Sequence, residues 1–144
     1  MTQKLLLDVG TQVAESDFPP ESAAAHFEAI GKGINDVDVI VQALLERLPP
    51  SKPWQRQLRS HLRDADRHVE ILRLEISLEH DSSEIHAAAL KLKHVLEIAN
   101  FHIAGGRAEG WIRNALAVAY RNASLVSKLR GLLVFSAISD GTKS

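Results

Sequence analysis

Apolar positions recur along most of the chain at intervals of three and four residues, the period of one face of an α-helix. The cleanest stretch is 20–48, where Phe27, Ile30, Ile34, Val37, Val41, Leu44 and Leu48 follow spacings of 3, 4, 3, 4, 3 and 4. That heptad-like seam runs unbroken through Gly31 and Gly33. Each glycine costs a helix interior about 1 kcal/mol relative to alanine, so the pair predicts a kink or a close helix contact. Over 51–79 the stripe is Trp54, Leu58, Leu62, Ala65, Val69, Leu72 and Ile76, with Ser51 as the expected N-cap and Pro53 in the first turn. Leu72 to Leu78 also alternates with period two, but Leu and Glu favour helix and a lone strand would have no partner.

Two later segments are apolar on more than one side. In 82–104, which opens with Asp81 and Glu84 at capping-box spacing, Ile85, Ala89, Leu92, Leu96, Ala99 and Ile103 form one stripe. Leu90, Ile98 and Phe101 form a second on the far side, which predicts a central helix packed between neighbours. In 107–138, Trp111, Ala115, Val118, Leu125, Leu129 and Leu132 share a seam that also contains Asn122. Ile112, Leu116, Ala119, Ala123, Val126 and Leu133 widen it. A polar residue in such a seam often fixes register, the alternative being a hydrogen bond to a loop backbone. Residues 2–16 read as a short helix with Leu6, Val9 and Val13 on one face, weakened by Gly10.

The breakers Phe18-Pro19-Pro20, Leu48-Pro49-Pro50-Ser51, His80-Asp81-Ser82-Ser83 and Gly105-Gly106 separate these segments. There is no internal repeat and no linker long enough to divide domains. The expected fold is therefore all-α: an up-and-down helical bundle of four long helices plus a short N-terminal helix, one domain over residues 1–144.

Composition narrows the chemistry. With no cysteine, disulfides, thiolate metal sites and a cysteine nucleophile are excluded. Aromatics are 5% of the chain, so the core must rest on Leu, Ile, Val and Ala. The net charge of −1 argues against bulk electrostatic binding of nucleic acid. It conceals −5 over residues 1–50, 0 over 51–106 and +4 over 107–144, which predicts acidic and basic helices attracting one another, or a dipolar surface used for self-association or a charged partner. No apolar stretch is long enough to span a bilayer, and the start lacks the apolar run of a signal peptide, so a cytoplasmic protein is expected.

The distinctive polar feature is a ridge. Lys52, Arg56, Arg59, Arg63 and Arg67 follow spacings of 4, 3, 4 and 4. They fall within about 80° of one another on a helix, opposite the apolar stripe. Guanidinium groups suit phosphate and carboxylate recognition; the plainer reading is a solvated face. On the flank of the same helix, His61, Asp64 and His68 could in principle hold a cation, but the usual i, i+4 histidine pair is absent and polar boundary residues account for them. No metal and no cofactor is expected.

Arg56-Gln-Leu-Arg-Ser-His61 and Arg63-Asp-Ala-Asp-Arg-His68 each show an Arg-x4-His spacing. This resembles the signature of HEPN ribonucleases, small all-α proteins that often dimerise. The resemblance covers six residues. It implies metal-independent RNA cleavage, with His68 as general acid/base, Arg63 stabilising the phosphorane and Asp64 as the polar follower. Five residues apart on a straight helix are about 140° apart, so the pair would need a bend or a dimer cleft. His94-Val-Leu-Glu-Ile-Ala99 resembles the site of histidine phosphotransfer domains, but Glu97 and Ile98 stand where that pattern has Lys and Gly. A core or boundary histidine is expected instead.

No Glu-x-x-His pair, phosphate loop or nucleophile elbow is present. The leading expectation is a non-enzymatic bundle acting through protein–protein contacts, as an adaptor, regulator or self-associating module and a candidate homodimer. Its expected interface is the apolar run Leu132, Leu133, Val134 and Phe135. An RNA-cleaving or RNA-binding protein using Arg63, Asp64 and His68 is the alternative; nucleic acid is the less favoured partner and a membrane is not expected.

Overall fold

The computed structural model describes residues 20–106 and 108–143, with side chains described for 24–106 and 108–134. The expected short helix over 2–16 and the side chain of Phe135 lie outside the described residues. Four helices follow in order: α1 (Pro20–Arg47), α2 (Pro53–Ser77), α3 (Ser82–His102) and α4 (Gly110–Lys143). Each packs on the next, and α4 closes back on α1. Because the chain reverses at every short turn, all four neighbouring pairs run antiparallel, which is an up-and-down four-helix bundle.

The periodic stripes become the core. Ile30, Ile34, Val37, Val41, Leu44 and Leu48 of the first seam are buried, as are Leu58, Leu62, Ala65, Val69 and Leu72 of α2, whereas Phe27, placed at the head of the first seam by its spacing, is 55% exposed. In α3 the stripe from Ile85 to Ile103 is buried, whereas Leu90, Ile98 and Phe101 lie on the surface. The expectation of a central α3 is thus corrected: a helix in a four-membered ring has two neighbours, and among the described residues the main contacts of α3 are with α2 and α4.

The two glycines of α1 part ways. The helix is continuous through both. A Cβ at Gly33 would lie 2.6 Å from Val126 Cγ2 and 3.6 Å from the Asn122 carbonyl oxygen, so this glycine lets α1 and α4 approach closely. A Cβ at Gly31 would meet nothing within 4 Å.

Side chains finish the helix ends. Lys52, rather than Ser51, occupies the N-cap of α2, and its N–H donates to Gln55 Oε1 at 2.9 Å. Arg59 Nη1 donates to the Leu45 and Leu48 carbonyls at 2.7 and 2.6 Å, satisfying acceptors that the end of α1 leaves unpaired. Arg56 Nη1 donates to the Pro50 and Ser51 carbonyls, each at 3.1 Å. Asp81 takes the N-cap of α3, and its carboxylate accepts from the Ser83 hydroxyl.

The α2–α3 connection is a Schellman turn. Glu79 is left-handed with φ 55°, its N–H bonds the Ile76 carbonyl at 3.0 Å, and the His80 N–H bonds the Glu75 carbonyl at 3.0 Å. Glycine is the usual residue at that left-handed position, because a Cβ is strained there. Between α1 and α2, Arg73 Nη1 donates to Asp38 Oδ2 at 2.9 Å and Gln42 Nε2 to Asp66 Oδ1 at 2.7 Å. The Arg73–Asp38 contact carries part of the expected attraction between the acidic first helix and its neighbours.

Three substitutions separate these effects in denaturant unfolding. Gly31→Ala gains helix propensity with no clash and is expected to stabilise by about 0.5–1 kcal/mol. Gly33→Ala must displace a stiff, buried valine and is expected to destabilise by about 1–2 kcal/mol, overpacking outweighing propensity. Glu79→Gly relieves the left-handed strain and is expected to stabilise by about 0.5–1 kcal/mol.

Candidate functional site

The last helix carries more apolar surface than its two neighbours cover. Its inward stripe is Ile112, Leu116, Ala119, Ala123 and Val126, all buried. The other seam faces out: Trp111, Val118, Leu125 and Leu132 are 40%, 36%, 45% and 51% exposed. They are seven residues apart, with Ala115, Asn122 and Leu129 half-buried between them, so the a/d spacing of a coiled-coil strand continues over 111–132. At 1.5 Å per residue this seam is about 32 Å long.

The seam is centred about 110° around α4 from the core stripe. It lies on the side of α1, because the Arg47 guanidinium sits 5.8 Å from the centre of the Trp111 ring and Gly33 approaches Asn122 and Val126. No charged residue falls on it: Arg113, Arg121 and Lys128 project elsewhere on the helix. Ala29, Ile40 and Ala43 of α1 border the same outer face, with the Lys32–Asp36 ion pair at its edge.

At one end the face meets a cleft of ≈ 290 Å³ lined by both tryptophans, Trp54 and Trp111, together with Arg47, Lys52 and Glu109. Trp111 Nε1 donates to Glu109 Oε1 at 2.7 Å. Near the other end, Arg130 is 5% exposed, with its guanidinium 5.9 Å from the Phe27 ring centre. Its Nε has no hydrogen-bond partner, and no acidic residue pairs with it among the described residues. Burial lowers its pKa. Of the expected interface run, Leu132 is exposed while Leu133 and Val134 are half-buried. That run therefore contributes one residue to the longer exposed seam, which begins far earlier at Trp111. A separate open groove of ≈ 460 Å³ between α3 and α4 is bordered by Glu97, Phe101, Arg113 and Tyr120, with Phe101 itself 82% exposed.

The arginine ridge is mostly committed to the fold. Arg56 and Arg59 bond backbone carbonyls of the α1–α2 connection, and Arg67 pairs with Asp64. Lys52 lines the tryptophan cleft, and Arg63 is exposed. His68 lines a ≈ 280 Å³ groove between α2 and α3 with Ile71, Glu75, Glu84 and Lys91, and Arg63 is not part of that lining. His94 is corrected outright: it is exposed, 3.8 Å from Glu97, because it projects on the outward side of α3.

The flank histidines divide as well. His61 meets His102 of α3 edge to face, ring centres 5.5 Å apart, and His102 Nε2 is buried without a hydrogen bond. Burial holds His61 below the ordinary value of 6.5, the nearby His102 adds to this, and Asp64 opposes it. Burial likewise lowers His68, with Arg67 and Lys91 reinforcing and Asp64 opposing. Possible ligand atoms converge instead at Asp38, Asp66 and Glu70, where Asp38 is ion-paired with Arg73, and at Glu75, His80 and Glu84 around the α2–α3 turn. Sequence spacing did not single out the latter group, because its members straddle a turn whose reversal depends on a left-handed glutamate.

Comparison with known protein families, curated proteins and solved structures finds no match. Among the described residues, no helix is long and apolar enough to cross a membrane.

The histidine environments set a pH response. A base whose folded pKa lies below its unfolded value is stabilising while neutral, and that stability is lost as pH falls from above 6.5 toward the folded pKa. The thermal midpoint is therefore expected to drop as pH is lowered through about 6.5. The double variant His61→Gln/His68→Gln should show a shallower drop over the same window; an unchanged slope would assign the response to other groups.

Proposed function

We infer that the protein is a non-enzymatic helical module that works by self-association, α4 and the adjoining edge of α1 meeting the same face of a second copy. The observation that carries this reading is the charge-free heptad seam from Trp111 to Leu132, which leaves four large apolar side chains exposed in one line along α4. Burying such a seam is worth roughly 25 cal/mol for each Å² of apolar surface removed from water. A face about 32 Å long and two helices wide is on the order of the ~800 Å² that each partner gives to a standard interface. Asn122, half-buried in mid-seam, supplies the polar contact that favours one register over its neighbours.

Charge selects a second copy as the occupant. Between residues 110 and 134, α4 holds Arg113, Arg121, Lys128 and Arg130 and no acidic residue. The α1 segment 24–47 holds Glu28, Asp36, Asp38 and Glu46 against Lys32 and Arg47. A two-fold axis parallel to the helices sets α4 of one copy against α1 of the other and preserves the height of every residue. Phe27 stands level with Arg130 and Gly33 with Asn122. Lys128 and Arg121 then come opposite the acidic positions Glu28 and Asp36, basic rim to acidic rim.

Sedimentation equilibrium of the full chain at micromolar concentration is expected to give twice the 15.8 kDa chain mass. Leu125→Glu puts a charge at an exposed seam position and is expected to yield a folded monomer, with unchanged helical circular dichroism. Lys128→Glu is expected to weaken the dimer, and adding Glu28→Lys to restore it. A monomeric wild type overturns the reading. A dimer indifferent to Leu125→Glu places the interface elsewhere and overturns it as well.

A further inference from the structure

At the opposite side of the ring, the α2–α3 turn gathers three side chains that no feature of the docking face involves. Glu75 comes from the last turns of α2, His80 from the connection and Glu84 from the first turn of α3. His80 Nδ1 lies 3.0 Å from Glu75 Oε1 and 3.7 Å from Glu84 Oε1, and one ligand atom from each residue falls within 4.8 Å of the others. Ligands about 2.1 Å from a common ion stand roughly 3.0–3.4 Å apart, so small side-chain adjustments close this triangle around a cation.

The local backbone explains the convergence. In a Schellman turn the residue after the left-handed position lies against the residue five before it, and an apolar contact commonly fills that place. Here the pair is His80 and Glu75, an imidazole on a carboxylate, with the His80 N–H bonded to the Glu75 carbonyl at 3.0 Å. Glu84, in the first turn of the helix that follows the Asp81 N-cap, approaches the same imidazole at 3.7 Å. Among the described residues, neither carboxylate forms an ion pair with a lysine or arginine, and His80 is the group that faces both. Glu75 and Glu84 also line the open groove that holds His68 and Lys91, so one side of the triad faces solvent-filled space.

We propose that Glu75, His80 and Glu84 form a binding site for a divalent transition-metal ion of the zinc class, with its remaining coordination positions open to the α2/α3 groove. One imidazole nitrogen with two carboxylate oxygens is a donor set such ions accept, and three protein ligands with an open position is the arrangement of exchangeable rather than sealed sites. Bound there, the ion joins the end of α2 to the start of α3 and stabilises the folded chain by mass action.

The test is isothermal titration of the chelator-washed full chain with Zn²⁺, together with its thermal midpoint. One ion per chain and a midpoint that rises with Zn²⁺ concentration are expected. His80→Ala and Glu84→Gln should each weaken binding by at least about tenfold, while His94→Asn should leave it unchanged. Co²⁺ substitution should give a visible spectrum that His80→Ala removes. No binding below millimolar Zn²⁺, or binding that survives His80→Ala, overturns the proposal. Leu125→Glu should bind Zn²⁺ as the wild type does, so the site stands or falls separately from the dimer.

Discussion

A helix at the corner of a four-membered ring can turn only about a third of its circumference toward its neighbours, and α4 is apolar over more than that. One of its two seams must stay outside, and the choice follows from side-chain size and polarity. The inward seam places Ala119 and Ala123 at the middle of the contact, where Gly33 allows α1 to come close. The outward seam holds Trp111, too bulky for that spacing, and Asn122, whose amide would need hydrogen-bond partners inside an apolar core. Turning this seam outward avoids both costs and creates the surface on which the self-association reading rests.

Much of the architecture could be read from periodicity because the decisive signal is local. Most of the stripes of α1 and α2 and the whole first stripe of α3 went to the core as spacing predicts, Phe27 being the exception that lies exposed, and Pro49-Pro50 and Gly105-Gly106 fall at observed turns. The orientation of α4 and the second stripe of α3 could not be read this way. Periodicity reports that a face is apolar; the number of neighbours available to cover it depends on how the ring closes. Leu90, Ile98 and Phe101 suggest a buried helix by pattern and are surface residues by topology.

The charged residues show the same division between pattern and context. Five basic side chains at helical spacing on α2 resemble an anion-binding ridge. Two of them reach back to backbone carbonyls that a helix end and a proline-rich connection leave without donors, and a third is neutralised one turn away. Arginine's planar fork makes it a good cap for several carbonyls at once, and nothing in a linear spacing separates that use from ligand recognition. The Glu75–His80–Glu84 group is the converse: unremarkable as spacing, because three backbone elements must be folded before its members meet.

Gly33 has a reach beyond its own packing. It sets how far apart α1 and α4 stand, and those two helices are the rails of the outer face. A side chain introduced there would itself stay buried, yet it would widen the gauge between the rails and, on the self-association reading, misalign basic rim from acidic rim. The missing Cβ thus acts as a spacer set from inside the bundle, through which a buried position fixes the width of an exposed surface.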